Sequence, residues 1–131
     1  MSDRSNPVIC NIKLHVVWHT KNDLPILTLA MKERLIQILK DECASKRIQI
    51  IPGGKIGTNH VYMRVVCPPR IALSEMLRYF KGRSSRLLQQ EFPELATHNL
   101  GGALWGSGYL CTAMEACAPG TIEDYIAKKV V

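Results

Sequence analysis

Residues 58–66 read TNHVYMRVV, and their pattern sets the architecture expected for the chain. Apolar residues alternate with polar or aromatic ones along this stretch, which is typical of a β-strand with one buried and one accessible face. His60 and Tyr62 therefore point to the same side of the strand. Two histidines two positions apart on such a strand would form a paired metal-binding edge, and here the second position is a tyrosine.

The segments on either side of this strand complete an alternating series of strands and helices. Further strands are predicted at 11–19, 47–51 and 104–113. Helices are predicted from a Thr28 cap to about Ala44, from about Ala72 to Glu91, and from Ile122 with Thr121 as N-cap.

This order predicts an α+β fold with a ferredoxin-like, antiparallel four-stranded sheet. Two helices cover one face of the sheet, and a C-terminal helix follows the last strand. The second face is left for a ligand, a partner or the terminal helix. The alternation of the strand does not say which face His60 and Tyr62 occupy.

Bulk composition narrows the class of protein. A length of 131 residues predicts a single domain over residues 1–131, and 17 Lys and Arg against 11 Asp and Glu favour an anionic partner such as nucleic acid. No apolar run approaches the roughly 18 residues of a membrane-spanning helix. The five cysteines form no CxxC pair, which indicates reduced thiols in a cytoplasmic protein.

The central helix carries a group of candidate DNA-binding residues: Arg78, Lys81, Gly82, Arg83, Ser85 and Arg86. A solvated helix face would also explain the charges. A solvated face does not explain Gly82, which lies opposite the apolar stripe and costs about 1 kcal/mol of helix stability there. A glycine at that position permits close approach of another backbone, and phosphate is the group that the adjacent cations would favour.

Tyr125 lies about one turn into the terminal helix, with Lys128 and Lys129 on the same side. As a nucleophile it would attack a scissile phosphate and form a phosphotyrosine link that conserves the bond energy for rejoining. Tyr125 could equally be a packing residue or a surface residue. His15, His19 and His98 have no mutual spacing that indicates a site.

Together these stretches resemble the single-tyrosine (Y1-type) transposases of small bacterial insertion sequences, in the HUH endonuclease superfamily. The similar segments are LHVVW at 14–18, NHVYM at 59–63, FKGRSSR at 80–86, LWGSGY at 104–109 and the pair Tyr125-Ile126. The resemblance covers nearly the whole chain from Leu14 onward, and the helix segment is its most specific part.

The resemblance implies a homodimer that recognises DNA hairpins and cuts and rejoins single-stranded DNA through a 5′-phosphotyrosine formed by Tyr125. It also implies magnesium, held by two histidines and by a glutamine four residues after the tyrosine. Of these ligands the chain retains His60, while Tyr62 and Lys129 occupy the other two positions. A neutral phenol is a poor ligand for a hard cation, and an ammonium group repels one.

Three functions are therefore expected from the sequence. The first is a transposase-family protein that binds single-stranded or hairpin DNA and whose metal-dependent nicking is lost or weakened. The second is an active transposase with a non-standard metal site, in which Lys129, Asn59, Glu123 or Asp124 replaces a lost ligand. The third is a dimeric module for RNA or protein, since a ferredoxin-like plan supports many functions.

Overall fold

The computed structural model describes residues 11–127, and its centre is the antiparallel pair of two long strands. In chain order the helices and strands are β1 (Ile12–His19), α1 (Leu29–Ser45), β2 (Gln49–Ile50), β3 (Lys55–Ile56), β4 (His60–Cys67), α2 (Leu73–Glu91), β5 (Leu110–Ala113) and α3 (Thr121–Ile126). Short 3₁₀ turns occupy Lys21–Asp23, Pro93–His98 and Met114–Ala116. Lys128 and Lys129 lie outside the described residues.

The sheet has the order β2-β4-β1-β5, and β3 also pairs with β4. Every pairing is antiparallel. The two long strands β1 and β4 are thus adjacent at the centre of the sheet, and the shorter strands lie at its edges. This is the strand order of a ferredoxin-like sheet. The predicted fold class is confirmed.

One face of the sheet carries the core. Burial alternates strictly along β4, with Val61, Met63 and Val65 buried against α1 and α2. The period of two places His60 and Tyr62 together on the opposite face, as predicted. The N-cap of α1 is also as predicted, since the Thr28 hydroxyl accepts a hydrogen bond from the Met31 amide at 3.3 Å.

A small polar residue sets how closely α2 approaches the sheet. Ser84 is fully buried on the inner side of the helix. Its hydroxyl donates to the Phe80 carbonyl at 2.6 Å and accepts the indole N–H of Trp105 at 2.8 Å. Trp105 in turn packs edge-on against Trp18 of β1, with ring centroids 5.8 Å apart. A larger side chain at Ser84 would separate these rings.

The predicted strand at 104–113 is wrong over its first six residues, because β5 begins at Leu110. The preceding segment bonds instead to the end of β1 and the turn after it. The Lys21 amide donates to the Leu104 carbonyl at 2.9 Å, and the Gly106 amide donates to the His19 carbonyl at 3.0 Å. Gly108 then turns the chain with a φ of +84°, a conformation that favours glycine.

Two other predicted boundaries differ from the structure. The second strand shortens to β2, because Arg47 has a φ of 58° and still belongs to the turn that leaves α1. The predicted N-cap Thr121 is wrong, since α3 begins at that residue and Gly120 is the cap, with a φ of 85°. A left-handed cap residue followed by a helix suits glycine better than threonine.

Within residues 11–127, none of the helices has the length and apolar character that crossing a membrane requires.

The Ser84→Ala substitution is expected to lower the free energy of unfolding by about 1–3 kcal/mol, because it leaves the buried Trp105 N–H without its acceptor. Urea unfolding followed by tryptophan fluorescence measures this. The matched control is Ser74→Ala at an exposed position of the same helix, where we expect a change within about 0.5 kcal/mol. Equal effects of the two substitutions would contradict the role assigned to Ser84.

Candidate active site and nucleic-acid interface

Two histidines stand side by side on the sheet face opposite α1 and α2. His19, the last residue of β1, is paired directly with His60, the first residue of β4. Their ring centroids are 6.1 Å apart, and His19 is buried. The pairing of the strands therefore creates a two-histidine cluster from residues 41 positions apart in the chain.

The terminal helix α3 covers this part of the face. Ile122 anchors it with a buried side chain, and Tyr125 lies against His19 with ring centroids 5.3 Å apart. The Nε2 atom of His19 is 3.1 Å from the carbonyl oxygen of Ile126. Because a carbonyl only accepts, that nitrogen carries the hydrogen and donates it. The structure thus brings the predicted nucleophile to the histidine cluster.

The orientation of His60 is set by a chain of hydrogen bonds. The Asn59 amide nitrogen donates to Asp23 at 2.9 Å, which turns the Asn59 amide oxygen toward Nδ1 of His60, also at 2.9 Å. Nδ1 is therefore the protonated nitrogen, and Nε2 keeps the lone pair. Burial, reinforced by the nearby His19, holds the pKa of His60 below its ordinary value. Asn59, a candidate replacement ligand, serves here to orient the imidazole.

Tyr62, at the predicted second ligand position, interacts with a neighbour on β1. Its hydroxyl lies 2.8 Å from Nδ1 of His15, and the two rings stack with centroids 5.8 Å apart. Burial raises the pKa of Tyr62 above its ordinary value, so the side chain stays a neutral phenol. Burial of Tyr125 raises the pKa of that phenol as well.

The described residues do not fit a magnesium ion. Within 11–127, no group of three or more His, Cys, Asp and Glu side chains is arranged to hold a metal. His60 offers one nitrogen, the Nε2 of His19 is used as a donor, and Tyr62 is a neutral phenol bonded to His15. Magnesium prefers an octahedral shell of oxygen ligands. The position predicted to replace the glutamine, Lys129, lies outside the described residues.

The candidate DNA-binding residues of α2 separate into two groups. Lys81 and Ser85 are used inside the protein. The Lys81 ammonium donates to the carbonyls of Gly106 at 2.8 Å and Gly108 at 3.1 Å, and burial lowers its pKa. The Ser85 hydroxyl accepts the Leu104 amide at 3.0 Å. Both residues hold the segment before β5 against the helix.

The other four members of the predicted set are exposed: Arg78, Gly82, Arg83 and Arg86. A Cβ built on Gly82 meets no atom within 4 Å, so the helix surface is open at that point. Arg83 lies 3.5 Å from Glu42 of α1, and the Lys46 ammonium, also bonded to Glu42, lies 4.2 Å from the ring centre of Tyr79. These cations form a positively charged patch along α1 and α2.

His15 and His19 are members of the candidate site that the sequence analysis did not predict. Both lie on the polar side of β1, as a period of two from the buried Leu14, Val16 and Trp18 requires. This alternation along β1 was the sequence signal that could have placed both histidines on the same face as the site. Their partners Tyr62 and His60 follow only from the register of β1 against β4, which one sequence does not specify.

Comparison with known proteins shows the family to which this chain belongs. The family described as "Transposase IS200 like" matches residues 8–129, and the chain belongs to that family. It is 24% identical over 118 residues to the ISDra2 transposase TnpA of Deinococcus radiodurans, covering 90% of this chain and 84% of the relative. It is 26% identical over 116 residues to the transposase for insertion sequence element IS200 of Salmonella typhimurium, covering 88% and 75%.

Solved structures share the fold. A crystal structure from Deinococcus radiodurans, described as that of a transposase, superposes with a TM-score of 0.82 at 21% identity and covers 97% of both chains. The REP-associated tyrosine transposase bound to a REP hairpin superposes with a TM-score of 0.58 at 13% identity, covering 96% of this chain and 68% of the other. The predicted recognition of the family is confirmed.

The His19→Ala substitution is expected to loosen α3, because it removes the hydrogen bond to the Ile126 carbonyl and the contact with Tyr125. Amide hydrogen exchange at Asp124 and Ala127 reports on this helix, and we expect about a tenfold faster exchange, which corresponds to the loss of about 1.4 kcal/mol of local stability. His19→Gln, whose amide can donate at a similar distance, is expected to restore part of the protection. Unchanged exchange in His19→Ala would show that Ile122 alone holds the helix.

Proposed function

We propose that this transposase-family chain binds single-stranded, hairpin-forming DNA and that its magnesium-dependent nicking is lost or strongly weakened. The proposed loss of nicking rests on the protonation and hydrogen bonding of Tyr62. It occupies the second ligand position of the strand as a neutral phenol, hydrogen-bonded to His15. A hydroxyl in that state does not replace an imidazole in a magnesium shell.

DNA binding is supported by the family and by the charge distribution. The chain carries a net charge of +6, and the exposed arginines of α2 lie beside the open surface at Gly82. The Arg78 side chain is 71% exposed and its carboxylate partner Glu75 is exposed too, so solvent screens that pair and the guanidinium can reach phosphate. Arg83 pairs with the buried Glu42, but its side chain is 45% exposed and is accessible to phosphate. Phosphate contacts of this kind position DNA without reading its sequence.

The nucleophile is proposed to be Tyr125. Its ring lies on the sheet face beside His19, in a cavity of about 450 Å³ that is open to the exposed Ser107 and Gly108. The raised pKa of the phenol makes its deprotonation harder, and no carboxylate or cation among the described residues stands in hydrogen-bond contact with it. Within residues 11–127, the arrangement places Tyr125 beside His19 but supplies no charged group bonded to the phenol that would activate it.

Replacing Arg83 and Arg86 together by alanine is expected to weaken hairpin binding and to reduce the slope of log Kd against log salt by about 2, since two phosphate contacts and their counterions are lost. Fluorescence anisotropy at several salt concentrations measures both quantities. The matched control is Lys13→Ala with Lys40→Ala, which removes the same charge from exposed positions away from α2. An equal change in the control pair would mean that net charge alone explains binding.

Nicking is expected to rise when both degenerate positions are reverted, in the variant Tyr62→His with Lys129→Gln. The change supplies an imidazole and an amide oxygen and removes a positive charge. With magnesium and labelled single-stranded DNA, the reverted chain should form a covalent adduct seen on a denaturing gel, and Tyr125→Phe in the same background should abolish it.

The unmodified chain serves as the reference for this assay. Robust magnesium-dependent adduct formation by the unmodified chain would overturn the inactive assignment and would favour an active enzyme with a non-standard site. No adduct in the reverted variant, with hairpin binding intact, would show that the loss of activity has another cause.

A further inference from the structure

A charged residue interrupts the buried apolar stripe of α1. Leu35, Ile38 and Leu39 lie in that stripe, and Glu42 follows in the next turn with only 6% of its surface exposed. A carboxylate is rarely buried to this extent unless it is paired, because taking the charge out of water is costly. The partners of Glu42 therefore indicate its role.

Cations from two helices engage the two carboxylate oxygens of Glu42. The Lys46 ammonium, one turn further along α1, donates to Oε2. The Nε atom of Arg83 on α2 lies 3.5 Å from Oε1. Because the contact with Arg83 is made through Nε, the two terminal nitrogens of the guanidinium keep their capacity to bind an anion.

A second ion pair joins the same two helices at an exposed position. Arg34 on α1 donates to both carboxylate oxygens of Glu91 on α2, at 2.7 and 3.0 Å. Arg34 precedes Glu42 by eight residues and Glu91 follows Arg83 by eight, which separates the two ion pairs by about 12 Å along the helices. The helices are thus also joined without a buried carboxylate, and helix pairing alone does not explain Glu42.

The Glu42 side chain lines a cavity of about 480 Å³ between α1 and α2. The cationic side chains around this cavity outnumber the one carboxylate: they are Lys46, Arg78, Arg83 and Arg86. Gly82 also lines it, and a Cβ at Gly82 would meet no atom within 4 Å. An anion here meets an excess of positive charge and an open helix surface. Phosphate fits, since guanidinium groups bind it with paired hydrogen bonds.

We propose that Glu42 is a positioning residue for DNA binding: its carboxylate fixes the Arg83 guanidinium beside Gly82, so that the α1–α2 cavity presents an ordered site for a backbone phosphate. The proposal rests on the proposed DNA-binding function and adds α1 to a surface that the sequence assigned to α2 alone. An arginine that is ordered before binding loses less side-chain entropy when it contacts phosphate. Lys46 offsets the charge of the carboxylate, so Glu42 repels phosphate little.

The first test uses the sign of the change in affinity. Glu42→Gln keeps the size of the side chain and raises the net charge from +6 to +7. If Glu42 only lowered the charge of the patch, its loss would tighten binding of a DNA hairpin and steepen the salt dependence. With Arg83 no longer ordered, we expect Kd to rise about fivefold and the slope of log Kd against log salt to fall by about 1. Tighter binding by Glu42→Gln would overturn the positioning role.

The matched control is Glu91→Gln, which removes the same charge and breaks the other ion pair between α1 and α2. Its Kd for the hairpin should not rise. An equal rise in the two variants would mean that Glu42 acts only by joining the helices. Should Glu42→Gln fail to fold, Glu42→Asp, which keeps the charge but shortens the reach to Arg83, is compared with Glu91→Asp in the same assay.

A double-mutant cycle tests whether Glu42 acts through Arg83. In an Arg83→Ala background, Glu42→Gln should produce no further rise in Kd, because the side chain that it orders is absent. The same fivefold loss in that background would show that Glu42 supports binding by another route and would overturn the proposal.

The last test needs no DNA. Relaxation of the arginine Nε–H groups by nuclear magnetic resonance should give Arg83 a higher order parameter than Arg78, whose side chain is 71% exposed. Glu42→Gln should lower the value for Arg83 and leave that for Arg78 unchanged, and an unchanged Arg83 would overturn the proposal. Failure of the unmodified chain to bind any hairpin would refute the proposed function and this inference with it. Hairpin binding that Glu42→Gln does not weaken would refute the inference alone.

Discussion

The antiparallel pairing of β1 with β4 is the constraint on which the remaining structure depends. Its register runs from Ile12 opposite Cys67 to His19 opposite His60. A slip of one residue would reverse every side chain between the two faces and expose the core. The same register that buries Val16 against Met63 therefore also aligns His19 with His60 and Val17 with Tyr62 on the other face. The hydrophobic effect, acting on one face, arranges the chemistry of the other.

The polar face shows how the side chains at the predicted ligand positions are accommodated. A buried phenol or imidazole without a partner costs free energy, and Tyr62, His60 and His19 each make a hydrogen bond. Tyr62 bonds to His15, His60 is held through Asn59 and Asp23, and His19 donates to α3. These contacts stabilise the fold without a metal ion, but they use the groups that a metal site would need.

Helix α2 packs on the core with its inner side and presents cations to solvent on its outer side. Ser84 brings it close to the tryptophans of the core, and Lys81 and Ser85 fasten the segment that leads to β5. The outward side keeps the arginines and the open surface at Gly82. The six candidate DNA-binding residues predicted on this helix are therefore divided between internal contacts, made by Lys81 and Ser85, and exposed positions.

Much of this protein could be predicted from its sequence, because the relevant signals are local. The period of two in residues 58–66, the Thr28 cap and the apolar stripe of α2 each depend on neighbours in the chain, and together they predicted the order of elements and the α+β fold. Five short segments, of which FKGRSSR is the most specific, together carried the resemblance to the family. The homodimer stays a prediction of that resemblance.

Tertiary structure decided which distant residues meet. Only the strand register brings His19 to His60 and His15 to Tyr62, and only the packing of α3 brings Tyr125 to His19. The start of β5 at Leu110 depended on hydrogen bonds from the preceding segment to His19 and Lys21, far away in the chain. Periodicity reports which side of an element a residue lies on, but contacts across elements depend on register, burial and helix docking, which are properties of the folded chain as a whole.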